Sequence, residues 1–284
     1  MRAGATAGLL LSTVIWGVSF PVVKAALGEM DPFLFVFLRF GIASVLVLFY
    51  LALSKKSISR LFQDRILWVL GITNALGFAM EFYGMTMTTA SKASLLVNVN
   101  VVFMAIFAAC LLGERMNLRT IAGIILGVVG VALITTEGDP SRLGGGSILG
   151  DIIIFLGGIV WAYSNIYNKR AATELGMTPM EVTESMILIS TLGLLPFLPL
   201  SNWGFSASPL AISSIVYTSI VCTIVGFYLF YRALRELTVV NTGIVLLFEI
   251  VVAVAIANAF LGEVIPPIGF IGGILIGAGI LLVS

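Results

Sequence analysis

The chain has 284 residues, 60% of them hydrophobic and only 10% charged, with a mean hydropathy of +1.14. A soluble domain of this length needs far more polar surface, so the composition belongs to the membrane class. A net charge of +1 without a basic tail speaks against a nucleic-acid partner, and the lack of histidine removes the commonest general base, metal ligand and pH sensor together.

Ten runs are long and apolar enough for spans, each needing about 20 residues. The first, about 4–27, is too long for a signal-peptide core and carries Trp16, Pro21 and Lys24, so it reads as a helix that stays in the membrane. The second, about 32–53, follows Asp31-Pro32 and contains Arg39. After the basic stretch from Lys55 to Arg65, the third (about 66–87) carries Asn74, Phe78, Glu81 and Phe82 at helical spacing. The fourth (about 91–112) holds Asn98 and Asn100 and closes on Leu112-Gly113-Glu114; the fifth (about 118–136) is spaced by Gly123 and Gly127. Turn chemistry follows, Glu137-Gly138-Asp139-Pro140 and then Gly144-Gly145-Gly146.

The sixth run (about 148–168) contains Trp161, Ser164 and Asn165, and the seventh (about 180–199) Glu181 and Glu184. Beyond Ser201-Asn202-Trp203-Gly204, the eighth (about 210–231) ends in Phe227, Tyr228 and Tyr231. The ninth (about 239–261) has Glu249 near its centre and closes on Leu261-Gly262-Glu263; after Pro266-Pro267, the tenth runs to about 283 with Gly269, Gly273 and Gly277. Cys110 and Cys222 lie inside apolar runs, without the spacing of a metal site or a disulfide framework, and read as packing residues.

With a cytoplasmic N-terminus, alternate loops on that side hold Lys55, Lys56, Arg60 and Arg65, then Arg115 and Arg119, then Lys169 and Arg170, then Arg232 and Arg235. The opposite segments hold mainly Glu29, Asp31, Glu137, Asp139 and Glu263, with Lys92 and Arg142 as the basic exceptions. The positive-inside rule then predicts ten spans and two cytoplasmic termini.

The halves also echo one another. Trp16, Ser19 and Lys24 recur 145 positions on as Trp161, Ser164 and Lys169, and Leu112-Gly113-Glu114 recurs after 149 as Leu261-Gly262-Glu263. Five spans per half predict an inverted repeat, 1–138 and 139–284, an arrangement of secondary transporters with a substrate site near the midplane. On the segment Trp16-Gly17-Val18-Ser19-Phe20-Pro21, the two Leu-Gly-Glu motifs and the glycine-rich fifth and tenth spans, the chain resembles the drug/metabolite transporter superfamily. Within it, the chain is similar to the ten-helix EamA-type branch and, more narrowly, to the YddG-type amino-acid exporters. The resemblance implies an all-α fold with a central cavity lined by helices 1, 3, 4, 6, 8 and 9, helices 5 and 10 lying outside it. It also favours a structural role for Glu114 and Glu263, such as tying loop backbone.

Trp16 and Trp161 occupy matched mid-span places, with Phe20 and Asn165 one turn further on. They read as an aromatic wall for an apolar side chain or as helix packing. Phe78 and Phe82 in the third span and Phe227 and Tyr231 in the eighth carry the same two readings. Asn98 and Asn100 are expected to point about 160° apart, so that both do not face one cavity squarely. A mid-span carboxylate is costly, which makes Glu249 a candidate to bind a substrate ammonium or exchange a coupling proton. Arg39 pairs with Glu249, Glu181 or Glu184, contacts a substrate carboxylate, or snorkels. Lys24 and Lys169, near helix ends, read as anchors. The Gly123/Gly127 and Gly273/Gly277 pairs read as close-packing faces, for helix contact or dimerisation.

No nucleophile–base set, metal cluster or cofactor motif is present, so an enzyme is not expected; nor is there a channel-like filter. Anionic phosphates and nucleotide sugars call for more buried cations than Arg39 alone. The expectation is a multi-pass bacterial inner-membrane carrier, monomeric or weakly dimeric, exporting aromatic or other neutral amino acids and related small metabolites by alternating access. Protons are a candidate coupling ion. Export of lipophilic cations or drugs, or carriage of a nucleotide sugar or other metabolite, is the alternative.

Overall fold

The computed structural model of the protein describes residues 2–88, 93, 96–98, 100–136, 138–141, 147–261 and 267–283. Readings that involve Lys92, Glu137, Arg142, Gly144 to Gly146, Gly262, Glu263 and Pro266 lie outside these residues. The described residues are helical apart from turns and one isolated antiparallel bridge, Met30 with Phe205. In chain order the helices are α1 (Arg2–Ala26), α2 (Pro32–Leu53), α3 (Arg65–Met87), α4 (Asn100–Leu112), α5 (Leu118–Thr136), α6 (Ile148–Thr173) and α7 (Pro179–Leu194). After them come α8 (Pro209–Glu236), α9 (Val239–Leu246), α10 (Phe248–Leu261) and α11 (Pro267–Val283). Six helical runs are long and apolar enough to cross a membrane, and four further apolar helices are 10–17 residues long over the described residues.

Local chemistry sets the helix starts. Asp31 accepts hydrogen bonds from the Phe33 and Leu34 amides ahead of α2, and Thr178 with Glu181 closes a capping box ahead of α7. In both, proline follows the cap, where its missing N–H costs nothing. Two departures interrupt the expected regular spans. Thr218–Gly226 within α8 is a π-helix, and the ninth apolar run breaks at Leu247, which puts Glu249 in the first turn of α10.

Loops meet loops in a consistent pattern. The α1–α2 turn docks on the α7–α8 loop: the Asp31 N–H bonds the Gly204 carbonyl at 2.9 Å, the Ser206 N–H the Glu29 carbonyl at 3.0 Å, and Ser208 bonds the Glu29 carboxylate. The α2–α3 loop meets the start of α7 through Arg60–Glu181 at 3.1 Å, and Glu114 after α4 accepts the Val239 N–H at 3.0 Å, capping α9. Ser147 before α6 donates its N–H to the Met87 carbonyl at 2.9 Å. Each of these contacts joins loops that the charge pattern assigns to the same side.

Helix pairs run antiparallel where the halves meet. A Cβ on Gly130 would lie 2.6 Å from the Gly272 carbonyl oxygen, and one on Gly272 equally far from that of Gly130, while Gly123 abuts Gly279 seven residues away on each helix. The close face of α11 is therefore Gly272/Gly279 and not Gly273/Gly277: nothing lies within 4 Å of a Cβ on Gly277. Glycine spacing identifies a narrow face, but the crossing point decides which glycines touch, and here they pack α5 on α11 within one chain. One further expectation needs correction. Cys110 is exposed on the outside of α4, where an apolar run needs no core contact. Lys24 and Lys169 anchor helix ends: Lys24 Nζ donates to the Met85 and Thr88 carbonyls at 2.6 and 3.3 Å, and Lys169 Nζ to those of Leu234 and Leu237 at 2.8 and 2.7 Å. Orphan carbonyls at a helix C-terminus attract a cation.

Candidate functional site

A cavity enclosing about 840 Å³ of empty space, its open part included, lies among α1, α2, α3, α4, α6, α8 and α10. Its aromatic wall is built in matched halves. Trp161 of α6 sits edge-on to Phe78 of α3 at 4.7 Å between ring centroids, and Trp16 of α1 tilts on Phe227 of α8 at 5.1 Å. Phe78 and Phe227, 149 positions apart, meet at 6.1 Å and join the two pairs into one aromatic chain. Phe82 and Tyr231 extend it, each one turn beyond, at 6.0 and 5.5 Å. The tryptophans approach this closely because each lies over a glycine of the facing helix. A Cβ at Gly77 would come within 2.3 Å of Trp161 Nε1, and one at Gly226 within 2.7 Å of Trp16 Nε1.

Phe20 and Asn165 also line the cavity, and Asn165 Nδ2 lies 3.6 Å from Met104 Sδ. Both Asn98 and Asn100 border it, as far as their expected angle allows without both facing it squarely. The cavity is wide enough to receive side chains from both flanks of the helix, so a large angle between them does not exclude either. The Oδ1 atom of Asn100 is buried without a hydrogen-bond partner. Glu249 completes the set, so all eleven residues singled out as substrate-binding candidates border this one cavity.

Three polar residues weighed less heavily lie there too. Arg39 is only 3% exposed, which removes the snorkelling alternative. Its Nε–H donates to Thr223 Oγ1 at 2.8 Å, and its guanidinium lies 4.5 Å from the centre of the Phe78 ring. Such a desolvated cation–π contact contributes about 2 kcal/mol. Glu81 borders the cavity from α3, beside Asn74, whose Nδ2 donates to Ser190 Oγ at 3.1 Å. Among the described residues the ion pairs within 4.0 Å are Arg60–Glu181 and Arg170–Glu174, so neither Glu81 nor Glu249 touches Arg39. Glu181 is engaged by Arg60, and Glu184 is buried outside the cavity with neither oxygen bonded.

Sequence reasoning passed over Ser19, Ser164 and Phe230 as lining residues. The serines had a signal, their 145-residue spacing beside the tryptophans; Phe230 had none, because one more aromatic in an apolar run looks like packing.

The comparisons agree with this architecture. A probable terminal-alkyne amino-acid exporter of Streptantibioticus cattleyicolor is 28% identical over 281 residues, covering 97% of this chain and 92% of that protein. A probable amino-acid metabolite efflux pump of Salmonella typhimurium is 28% identical, with 95% and 91% covered, and an uncharacterised transporter of Archaeoglobus fulgidus is 28% identical, with 97% and 96% covered. A solved crystal structure superposes with a TM-score of 0.82 at 18% identity, covering 100% of this chain and 97% of the other, and so shares its fold. Residues 4–136 and 148–284 each match the EamA-like transporter family. The chain belongs to that family, within the drug/metabolite transporter superfamily, and is a multi-pass transporter of the bacterial inner-membrane type.

Proposed function

We propose that the protein exports neutral amino acids, aromatic ones among them, by alternating access from the cavity between two inverted five-helix halves, 1–138 and 139–284. The observation that carries this reading is the cavity's composition: a continuous aromatic wall with amides and a few buried ionisable groups of both signs. An apolar side chain suits the wall, and the charged ends of a zwitterion suit the ionisable groups. Two relatives named for amino-acid or amino-acid-metabolite export support the substrate class, and the two tandem family matches support the division into halves. Antiparallel contacts between helices of different halves, and loop contacts that pair segments assigned to one side, support ten spans with both termini cytoplasmic. On this reading Glu249 takes the substrate ammonium, or a proton when the ammonium has left.

Flux into proteoliposomes tests the proposal. Phenylalanine, leucine and their neighbours are expected to move, faster with a pH gradient, and Glu249→Gln to abolish the dependence on that gradient. Transport and pH dependence unchanged in Glu249→Gln would remove the residue from proton coupling. Two carboxylates against one guanidinium favour a second reading, carriage of a lipophilic cation. It wins if amino acids fail in this assay and such a cation passes.

A further inference from the structure

The chemistry at Arg39 goes further than the cavity's general character. A guanidinium has three parts that can be engaged: the Nε–H, the flat faces, and the edge carrying the two Nη groups. The Nε–H is committed to Thr223 Oγ1 at 2.8 Å. A face is committed to the Phe78 ring, 4.5 Å from its centre, with Phe40 and Phe82 further out at 5.7 and 5.9 Å. The Nη edge remains, in a residue that borders the cavity, with no carboxylate of the described residues within 4.0 Å.

The commitment to Thr223 depends on the π-helix. Thr223 Oγ1 donates to the Thr218 carbonyl five residues back, at 2.9 Å, an acceptor that α-helical register would give to a residue four ahead. That bond fixes the hydroxyl's lone pairs toward α2, where they hold Arg39 across a separation of 184 residues. The position that matches Arg39 when the Pro32 and Pro179 helix starts are aligned, 147 residues on, is Met186, and Asn74 Nδ2 lies 3.2 Å from its sulfur. The buried cation is thus a feature of one half alone. A buried guanidinium costs too much to leave unpaired where packing needs only a methionine.

We infer that the Nη edge of Arg39 is a binding subsite for a planar carboxylate, held bidentately, and that Thr223 is its positioning residue. The inference rests on reading the cavity as a substrate site. It deepens that reading by assigning the substrate's anionic end to Arg39 and leaving the cationic end to Glu81 or Glu249. It makes the carboxylate a requirement: a decarboxylated analogue of the same skeleton loses this contact entirely.

Four ligands of one skeleton test it in the purified full-length protein: phenylalanine, phenylalaninamide, phenethylamine and 3-phenylpropionate, with binding read from intrinsic tryptophan fluorescence and thermal shift. Phenylalanine and 3-phenylpropionate are expected to bind. Arg39→Gln is expected to weaken both at least about tenfold, the scale of a charged hydrogen-bond pair, and to leave the two amine-only ligands unchanged. Thr223→Val keeps the charge but frees the Nε–H, and is expected to weaken only the carboxylate ligands, by about threefold or more. It also covers the case in which Arg39→Gln fails to fold. Carboxylate ligands that do not bind, or that bind both variants as tightly as the parent, would overturn the inference. Arg39-dependent 3-phenylpropionate binding without amino-acid flux would leave the subsite standing and remove the export reading; flux indifferent to Arg39 would do the reverse.

Discussion

The first helices of the two halves, α1 and α6, carry the same residues to the same places and are treated differently there. Lys24 and Lys169 both tie down the C-terminus of the third helix of their own half, at Met85 and Thr88 in one and at Leu234 and Leu237 in the other. Each pair of acceptors is matched at 149 residues. Trp16 and Trp161 both lie over a glycine of the other half's third helix, Gly226 and Gly77, again matched at 149. Yet Trp16 Nε1 donates to the Cys222 carbonyl at 2.9 Å, while Trp161 Nε1 is buried with no partner. The difference lies in the facing helix. The π-helix around Cys222 shifts backbone acceptors out of α-helical register, whereas α3 is α-helical throughout and its carbonyls stay in the ladder.

The charged residues of the cavity also differ between the halves. Arg39, Glu81 and Glu249 are matched by Met186, Phe230 and Asn100, while the aromatic pairs Phe78/Phe227 and Phe82/Tyr231 are aromatic in both halves. Matched positions carry packing, which symmetry can repeat. Unmatched positions carry the charges that border the cavity, Arg39, Glu81 and Glu249.

The largest effect expected from breaking the matched set is at the lysines. Lys169→Met leaves the last carbonyls of α8 without their cation and should destabilise the protein by about 3 kcal/mol, the upper end for hydrogen bonds to a charged group. Lys24→Met, with one shorter and one longer bond, should lose about 2 kcal/mol by the same scale. Thermal unfolding in detergent measures both; a change in one variant only would mean that the clamps are not equivalent.

Next in size are the glycines of the α5–α11 crossing. Gly130→Ala and Gly272→Ala each place a methyl group 2.6 Å from a backbone oxygen that cannot move without its helix. Each should lower stability by about 1–3 kcal/mol, and by similar amounts, through overpacking. Gly277→Ala has open space and should be neutral or slightly stabilising, since alanine favours a helix over glycine by about 1 kcal/mol. Equal losses at Gly277 and Gly272 would show that the helices cross elsewhere.

Much of this was legible in the residues. Hydropathy gave the apolar runs, because backbone in lipid must close its hydrogen bonds within helices and so writes long apolar segments. Spacing picked out Trp16, Trp161, Phe78 and Phe227, and mid-span polarity picked out Glu249 and the asparagines. What stayed hidden was register. The π-helix runs over Thr218–Gly226, an apolar stretch with small hydroxyl residues that an ordinary span equally permits. Its consequences, the Trp16 bond and the Arg39 bond to Thr223, were therefore out of reach. The lysines hid for a different reason: a lysine near a span end looks alike whether it reaches for lipid headgroups or for a carbonyl, and only the neighbouring helix end decides.

The smallest predicted effect is also the most specific to the asymmetry. Trp16→Phe removes the part-buried hydrogen bond to the Cys222 carbonyl, and should cost about 1 kcal/mol beyond the lost ring area. Trp161→Phe removes a donor that already lacks a partner and should cost only the lost ring area, because the desolvation penalty of that N–H disappears with it. The two substitutions delete the same atoms at matched positions, so the difference between their unfolding free energies isolates the bond that the π-helix provides. Regularising α8 should erase the difference. In a Thr223→Val background, where the hydroxyl no longer holds the Thr218 carbonyl, the gap between Trp16→Phe and Trp161→Phe should shrink. A gap that persists there at full size would mean that the Cys222 carbonyl is presented by the surrounding packing and not by that hydroxyl.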